Sequence, residues 1–253
     1  LSETAQVADV VLAAASVAEK EGTFTNTERR CLRIHKAIEP IADTLPDWRI
    51  VARLSNAMGY QMDYAGVEDI FNEMASLTPK SYGGMSYERL GIDGLQWPCP
   101  EPDHPGTPYL HKEGFARGKG QFHAIAYRDP AELPDEQYPF YLTTGRMFAH
   151  FHTGTMTRKT AGLNERAPEN FIEVSPEDAK TYALTDGAKI TIASRRGQIE
   201  AVVKISEKMV AGTIFMPFHF AESAANKLTN TALDPVCKIP ELKVCAVKLS
   251  TAA

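Results

Sequence analysis

Apolar and polar residues alternate most regularly over residues 189–205. Ile190 and Ile192 share one face of a predicted strand, and every second residue from 199 to 205 is apolar on a predicted return strand. The residues 194–197 between them end in a glycine and form the predicted turn. A period of two on both sides of a short turn is typical of a β-hairpin.

The rest of residues 121–253 also favours strands. Ser175 and Pro176 suit the N-cap and the first position of one helix, which we expect to end near Gly187. Further apolar strands are predicted at 138–144, 213–218 and 243–249. The pattern therefore predicts a compact β-rich domain, and closing its strands into a barrel would remove exposed sheet edges.

The amino-terminal part of the chain combines an apolar run typical of a strand with apolar residues at helical spacing. Residues 7–15 (VADVVLAAA) form a β-branched apolar run that predicts a buried strand of a parallel sheet, and the polar residues 23–30 predict a loop. Asp47 suits a helix N-cap, and apolar residues at helical spacing follow it as far as Gly59. A second amphipathic helix is predicted over residues 67–76.

These patterns divide the chain into three segments. Residues 1–78 are predicted to form an α/β segment, and residues 121–253 the β-rich domain. Between them, residues 79–120 are rich in proline and glycine and show no periodic apolar pattern. We therefore expect residues 79–120 to be a long irregular connection between two domains.

Composition narrows the classes of function. Of the 253 residues, 43% are hydrophobic and 23% are charged, as in ordinary globular proteins, and the net charge of −5 argues against a nucleic-acid partner. The longest apolar stretch, residues 10–18, has nine residues, whereas a membrane span needs about 20. The four cysteines contain no CxxC pair, which fits reduced thiols in a cytoplasmic protein. Because the chain opens on residues typical of internal sequence rather than on Met, we expect a piece of a longer polypeptide.

No motif of a self-contained active site occurs, since GxSxG, HExxH, GxGxxG and the Walker pattern are all absent from the sequence. Arg146 follows a predicted strand and a glycine, an arrangement that suits a phosphate or a simple surface position. His150 and His152 share one face, which leaves open a structural pair, anion recognition or part of a metal site. Asn226 either reads the edge of a heterocycle or caps a turn.

Seven sequence blocks carry a family resemblance and cover nearly the whole chain outside the proline-rich connection. They are SETAQVADVVL, EGTFTNTERR, LTTGRMFAHFHTGTMTR, SPEDAKTYAL, SRRGQIEA, FMPFHFAESAANKLTN and PELKVCAV. In this order they resemble the carboxy-terminal third of the catalytic (alpha) subunit of molybdopterin-dependent formate dehydrogenases. The resemblance implies a Rossmann-like α/β segment followed by a six-stranded double-psi β-barrel, and a cofactor of two molybdopterin guanine dinucleotides that hold molybdenum or tungsten.

The resemblance also implies the cofactor contacts. Asp47 would accept hydrogen bonds from the guanine, although its alternative as a helix N-cap stays open, and Ala14 would approach the same nucleotide through its backbone. Arg146 and Lys243 would be the cations for pyrophosphate or pterin oxygens. The remaining expected cofactor contacts are Met147, His150, His152, Phe218, His219 and Asn226.

The expected role is therefore binding rather than chemistry, and no catalytic or metal-ligating residue is assigned. In such enzymes the cysteines of the 4Fe-4S cluster, the metal-ligating cysteine or selenocysteine and the residues beside the substrate lie upstream, so we expect this chain alone to be inactive. Its expected partners are the upstream part of the same subunit and iron–sulfur electron-transfer subunits. Ala13 stands where related sequences usually have proline. Two alternatives remain: a stand-alone module that binds the dinucleotide, and an idle electron-transfer protein similar to the large subunit of NADH dehydrogenase.

Overall fold

The computed structural model describes residues 2–251, and the chain divides between Phe122 and His123 into two compact units. Within residues 2–122, the amino-terminal unit contains three strands, five α-helices and one 3-10 turn (Val17–Glu19). The strands are β1 (Gly22–Thr25), β2 (Arg30–Ile34) and β3 (Leu95–Gln96). The helices are α1 (Glu3–Val7), α2 (Asp47–Ala57), α3 (Val67–Leu77), α4 (Pro79–Tyr82) and α5 (Tyr87–Leu90).

The three strands form an antiparallel sheet in the order β1-β2-β3. The predicted loop at 23–30 is wrong, because β1 and β2 pair from Gly22↔Ile34 to Thr25↔Cys31. The Asn26 side chain closes the turn between them by accepting from the backbone N–H of Glu28 (3.1 Å) and of Arg30 (3.0 Å).

The buried parallel strand predicted at 7–15 is also wrong. Val7 ends α1, and the residues up to 15 form no strand; their pairing is one parallel bridge, Ala14↔Leu45, within the described part of this unit. Val7 is 83% exposed and Leu12 is 59% exposed. A parallel strand is covered by neighbours on both faces, and among residues 2–122 this run has no such neighbours. Because the sheet of this unit is antiparallel, the Rossmann-like description is not confirmed.

Both predicted helices of this unit are confirmed as α2 and α3. The N-cap of α2 is Pro46 rather than Asp47, because the N–H groups of Arg49 and Ile50 donate to the Pro46 carbonyl and the helix begins at Asp47 itself. The apolar residues of α2 are largely exposed and only Ala52 is buried, whereas α3 buries Phe71 and Ala75.

The segment 79–120 is more ordered at its start than the sequence predicts. It contains α4, α5 and β3, and a core beneath α3 receives Met85, Tyr87, Leu90 and Cys99. Arg29 holds the proline-rich stretch by donating from its guanidinium to the carbonyls of Trp97, Thr107 (3.0 Å) and Pro108 (3.3 Å). These contacts depend on residues far apart in sequence, which a local pattern does not reveal.

The carboxy-terminal unit is a closed six-stranded barrel, as the family resemblance implies. Its strands are β4 (Phe140–Gly145), β5 (Phe171–Val174), β6 (Lys189–Ala193), β7 (Gln198–Ile205), β8 (Thr213–Pro217) and β9 (Cys245–Thr251). Its helices are α6 (Ala161–Arg166) and α7 (Pro176–Thr181), with 3-10 turns at Thr157–Lys159 and Ala225–Lys227.

The strands close in the order β4-β8-β5-β7-β6-β9, with β4–β8 and β5–β7 parallel. The predicted hairpin is β6–β7, registered from Lys189↔Val202 to Ala193↔Gln198. Ile192, Ile214 and Leu142 are among the residues fully buried in the barrel core. Alternation along each strand therefore fills the interior, as in small barrels.

The helix predicted after Ser175 is confirmed as α7, and the Ser175 side chain accepts from the Asp178 N–H at 3.0 Å. The helix ends at Thr181 rather than near Gly187, because Ala183 adopts φ +51° and the Leu184 N–H closes back on the Ala179 carbonyl (2.8 Å). Among residues 2–251, no helix has the length and apolar character to cross a bilayer.

Candidate functional site

The candidate site lies where two neighbouring parallel strands end. β4 and β8 pair from Tyr141↔Thr213 to Gly145↔Pro217, so Arg146 and Phe218 leave the same edge of the barrel side by side. Loops that follow adjacent parallel strands converge in this way in many ligand-binding folds. Gly145 is required at the end of β4, because a Cβ there would overlap the ring of Phe215.

Two cations share one aromatic ring at this edge. The Arg146 Cζ and the Lys243 Nζ each lie 5.9 Å from the centroid of the Phe218 ring. The Lys243 Nζ also donates to the Thr144 carbonyl (2.6 Å), which fixes the ammonium beside the end of β4. Both charged side chains are on exposed residues. Paired cations beside a strand end can bind a multiply charged anion.

His219 joins the loops that follow β4 and β8. Its side chain is 1% exposed, its Nε2 accepts from the Met147 N–H at 2.9 Å, and its Nδ1 donates to the His152 carbonyl. An N–H donor at one ring nitrogen and a carbonyl at the other require the neutral Nδ1–H tautomer. Burial lowers the pKa of His219, which also favours the neutral ring. His219 therefore acts as an internal cross-link, with neither ring nitrogen left for a ligand.

His150 is fixed in a similar way. It is 5% exposed, its Nε2 lies 2.8 Å from the Ala167 carbonyl and its Nδ1 lies 3.2 Å from the Thr157 hydroxyl. Because a carbonyl only accepts, Nε2 carries the proton, and in the neutral ring Nδ1 accepts from the Thr157 hydroxyl. The ring centroids of His150 and Phe220 lie 5.4 Å apart, and the two ring planes are nearly perpendicular (88°). The loop after β4 is thus held by its own buried histidine.

His152 differs from the two buried histidines, because it is exposed and has φ +47°. Its ring packs at right angles to the exposed Phe151 ring at 4.5 Å. The carbonyl of His152 is the one that His219 fixes. The imidazole of His152 therefore projects from a backbone that is firmly positioned in a strained conformation.

Asn226 lies beside the turn between β6 and β7. It is an exposed residue of the 3-10 turn Ala225–Lys227, beside the β6–β7 turn. Arg196 fixes this turn by donating from Nε (3.0 Å) and Nη2 (2.7 Å) to the Leu228 carbonyl. Within residues 123–251, none of the hydrogen bonds and ring contacts joins Asn226 to Arg146, Phe218 or Lys243.

The two remaining candidates, Asp47 and Ala14, belong to the amino-terminal unit. Asp47 begins α2 and its carboxylate accepts from the Lys20 ammonium. That bond is the main cause of the lowered pKa of Asp47, which stays ionised at neutral pH. A cavity of about 280 Å³ beside this pair is lined by Trp48 and Phe71 among others. Ala14 is exposed and lies opposite Leu45 in a parallel bridge, whose hydrogen bonds run from the Ala15 N–H to the Leu45 carbonyl (2.8 Å) and from the Leu45 N–H to the Ala13 carbonyl (3.2 Å).

The structure thus brings seven of the ten predicted residues into one group: Arg146, Met147, His150, His152, Phe218, His219 and Lys243. Sequence reasoning missed Thr157, whose hydroxyl serves His150, and Arg158, whose guanidinium lies over Phe220 at 4.7 Å. Both lie in the HTGTMTR run, but no spacing rule marks them. In residues 2–251, no three His, Cys, Asp or Glu side chains are grouped as metal ligands.

Two family models match this chain. The "Molydopterin dinucleotide binding domain" matches residues 140–246, which contain most of the barrel and the Arg146 group, and "Molybdopterin oxidoreductase" matches residues 1–57. Over these two regions the chain is similar to molybdopterin oxidoreductases.

Formate dehydrogenase alpha subunits are among its close homologues, which confirms the resemblance. The chain is 53% identical over 253 residues to the "F420-dependent formate dehydrogenase subunit alpha" of Methanocaldococcus jannaschii, covering 98% of this chain and 37% of that relative. It is 42% identical over 261 residues to the "Assimilatory nitrate reductase catalytic subunit" of Bacillus subtilis, with the same two coverages of 98% and 37%. The chain therefore spans little more than a third of the length of these relatives.

A solved structure supports the fold. Acetylene hydratase from Pelobacter acetylenicus superposes with a TM-score of 0.69 over 98% of this chain and 39% of its own chain. At a sequence identity of 17%, this likeness is evidence for the fold alone.

Proposed function

We propose that this chain is the part of a formate dehydrogenase alpha subunit that binds a molybdopterin guanine dinucleotide. The observation that carries the proposal is the pair of cations, Arg146 and Lys243, placed on one ring at the ends of β4 and β8. This pair lies inside the region that matches a dinucleotide-binding domain. The two parallel strand pairs of the barrel support the finer description as a double-psi barrel.

The residues present fit such a ligand. Each dinucleotide carries a pyrophosphate, and two exposed cations with fixed bases satisfy several anionic oxygens through charge-assisted bonds, each of about 1.5–3 kcal/mol. The Phe218 ring gives both cations an apolar support. When bound, the cofactor supplies the metal centre that takes two electrons from formate, which becomes CO2 and a proton. The chain itself contributes binding and orientation.

The predicted contacts divide into two kinds of role. Arg146, Lys243 and His152 are exposed and are proposed to bind the ligand directly. His150 and His219 use both ring nitrogens internally, so their proposed role is to hold the binding loops in place.

The remaining contacts stay proposals from the family resemblance. Met147 and Phe218 would contact the ligand by packing and, for Met147, through its carbonyl. Asn226 would read a heterocycle edge from its exposed turn. Asp47 would accept from the guanine, which requires the Lys20 ammonium to share or release its carboxylate. Ala14 would contact the nucleotide through its backbone.

The rest of the enzyme is proposed from the relatives. The missing length of the alpha subunit would supply the metal ligand, the 4Fe-4S cluster and the residues beside formate. The electron acceptor is proposed to be F420, as the name of the Methanocaldococcus jannaschii relative states. Iron–sulfur subunits as partners and a cytoplasmic location also stay predictions, as does the choice between molybdenum and tungsten.

One observation favours a second activity. The nitrate reductase relative is 42% identical over the same 98% of the chain. Nitrate reduction by the assembled enzyme is therefore the alternative, and both substrates share the proposed cofactor site. Formate-dependent reduction of F420 or a viologen dye, with nitrate-dependent oxidation of the reduced dye as the parallel assay, decides between them.

The binding proposal is tested in the full-length alpha subunit. Arg146→Ala and Lys243→Ala should each weaken retention of the cofactor by about 1.5–3 kcal/mol, roughly 10- to 150-fold. The measurement is metal by elemental analysis and guanine nucleotide after acid release, per folded subunit. Lys208→Ala, which removes an exposed cation in the turn before β8, is the matched control. Full metal and nucleotide content in both Arg146 and Lys243 variants would overturn the proposal.

A further inference from the structure

Arg158 makes more contacts between separate segments than its exposed neighbours do. Its Nη1 donates to both carboxylate oxygens of Glu222, at 2.6 Å and 2.7 Å. Its Nε donates to Asn164 Oδ1 (3.2 Å) and its Nη2 to the Pro168 carbonyl (3.3 Å). All three guanidinium nitrogens face protein acceptors, so the side chain is held in one orientation.

The same guanidinium lies against the loop that follows β8. Its Cζ is 4.7 Å from the centroid of the Phe220 ring, and that ring packs nearly perpendicular to the His150 ring. The backbone of Arg158 belongs to the other loop, because its N–H donates to the Gly154 carbonyl (2.9 Å). Gly154 has φ +75°, and a Cβ there would press on both Arg158 and the His219 carbonyl. The loops after β4 and β8 are therefore packed tightly around Arg158.

These two loops are joined at two levels. Close to the barrel, His219 bonds to the Met147 N–H and to the His152 carbonyl. Farther along both loops, the ion pair between Arg158 and Glu222 forms the second connection. Arg146 and Phe218 start the same two loops, so the outer connection limits how far their chains can separate.

We propose that Arg158 is a positioning residue that, through its ion pair with Glu222, holds the loops after β4 and β8 at the spacing needed for Arg146 and Lys243 to grip the dinucleotide. This inference rests on the proposed function. It assigns Arg158 and Glu222 no contact with the ligand, and it assigns the ion pair a role in ligand retention rather than in the folding of the barrel.

The burial of the pair supports this distinction. The Arg158 side chain is 24% exposed and that of Glu222 is 56% exposed. An ion pair this exposed contributes little to global stability. Its effect should therefore appear in the loops that it joins, as faster release of the ligand, while the melting temperature of the protein changes little.

The test measures release of the cofactor from the full-length subunit at 25 °C. Guanine nucleotide in the filtrate is followed over time for wild type, Glu222→Gln, Glu222→Ala and Arg158→Lys. Glu222→Gln keeps the shape of the side chain and removes its charge, so it addresses the ion pair with little risk to folding. Glu173→Gln is the matched control, because Glu173 pairs with Lys204 (3.2 Å) on strands β5 and β7.

We expect release to be three- to tenfold faster in Glu222→Gln and Arg158→Lys, and faster still in Glu222→Ala, with the KM for formate and the melting temperature near wild type. The control should release at the wild-type rate. Wild-type release in all three variants, or faster release that follows a lowered melting temperature in proportion, would overturn the proposal.

Arg146→Ala in the same assay separates this proposal from the binding function itself. Faster release in Arg146→Ala with no change in the Glu222 and Arg158 variants rejects only the positioning role. No change in Arg146→Ala rejects the placement of the ligand at this edge of the barrel, and the positioning role with it.

Discussion

The two ring nitrogens of His219 can be tested separately with two substitutions. The Met147 N–H donates to Nε2 of His219 at 2.9 Å. In His219→Gln, the side-chain oxygen can take the place of Nε2 and still accept this hydrogen bond. In His219→Asn, the side-chain amide can take the place of Nδ1 and still donate to the His152 carbonyl. The two variants therefore each keep one bond and lose the other.

The expected magnitudes differ because the two partners differ in exposure. His219→Asn leaves the Met147 N–H without its acceptor beside a buried site, which costs about 1–3 kcal/mol. His219→Gln leaves the His152 carbonyl without its donor, and because His152 is an exposed residue we expect a cost below about 1 kcal/mol. His219→Ala loses both bonds and leaves a cavity, which adds roughly 1–2 kcal/mol to the larger value.

Hydrogen exchange, measured by mass spectrometry on the full-length subunit, reports these losses of stability for individual peptides. Peptides over residues 146–152 should exchange about 5- to 150-fold faster in His219→Asn, faster again in His219→Ala, and near the wild-type rate in His219→Gln. Peptides from the β6–β7 hairpin serve as the internal reference. Equal exchange in the Asn and Gln variants would refute both the Nδ1–H tautomer of His219 and its role as a cross-link between the two loops.

Three further outcomes are expected from the barrel unit. Because burial lowers the pKa of His219 below its ordinary 6.5, its stabilising contribution is complete above pH 6.5 and falls as the pH drops; after correction for the slower intrinsic exchange of amides at low pH, the protection of residues 146–152 should fall at pH 5.5 in wild type and fall less in His219→Gln, and an equal fall would reject the assignment. Gly145→Ala should lower the free energy of unfolding by about 1–3 kcal/mol, because the new Cβ clashes with the Phe215 ring. Adding Phe215→Leu should restore part of the lost melting temperature, and an unchanged melting temperature in the double variant would contradict the clash. Burial raises the pKa of Cys245 to about 11, so iodoacetamide at pH 8 should label the exposed Cys237 and leave Cys245 unlabelled in peptide maps of the native protein.

The barrel was predictable because its signals are local. Alternation fixed the β6–β7 hairpin to the residue, and the Ser175–Pro176 pair located the start of α7. The run at 7–15 failed for the opposite reason. An apolar run signals a buried strand only if neighbours cover it, and within the described residues the pairing of this run is limited to the bridge Ala14↔Leu45.

The candidate site shows a similar division. Arg146 carries a weak local signal, a glycine and a strand end, and its interpretation became specific only through the family resemblance. The internal role of His219 could not be predicted, because its partners His152 and Met147 lie 67 and 72 positions away. The role of His150 depends on the folding of its own loop, which brings Thr157 and Ala167 to its ring. Tautomers follow from folded geometry and not from spacing.

The central claim is that Arg146 and Lys243 together grip an anionic dinucleotide at the ends of β4 and β8. The most direct measurement is a structure of the full-length, cofactor-loaded alpha subunit by cryo-electron microscopy. We predict ligand oxygens within about 3.5 Å of both the Arg146 guanidinium and the Lys243 ammonium. A cofactor bound elsewhere, with both cations in contact only with protein and solvent, would contradict the account.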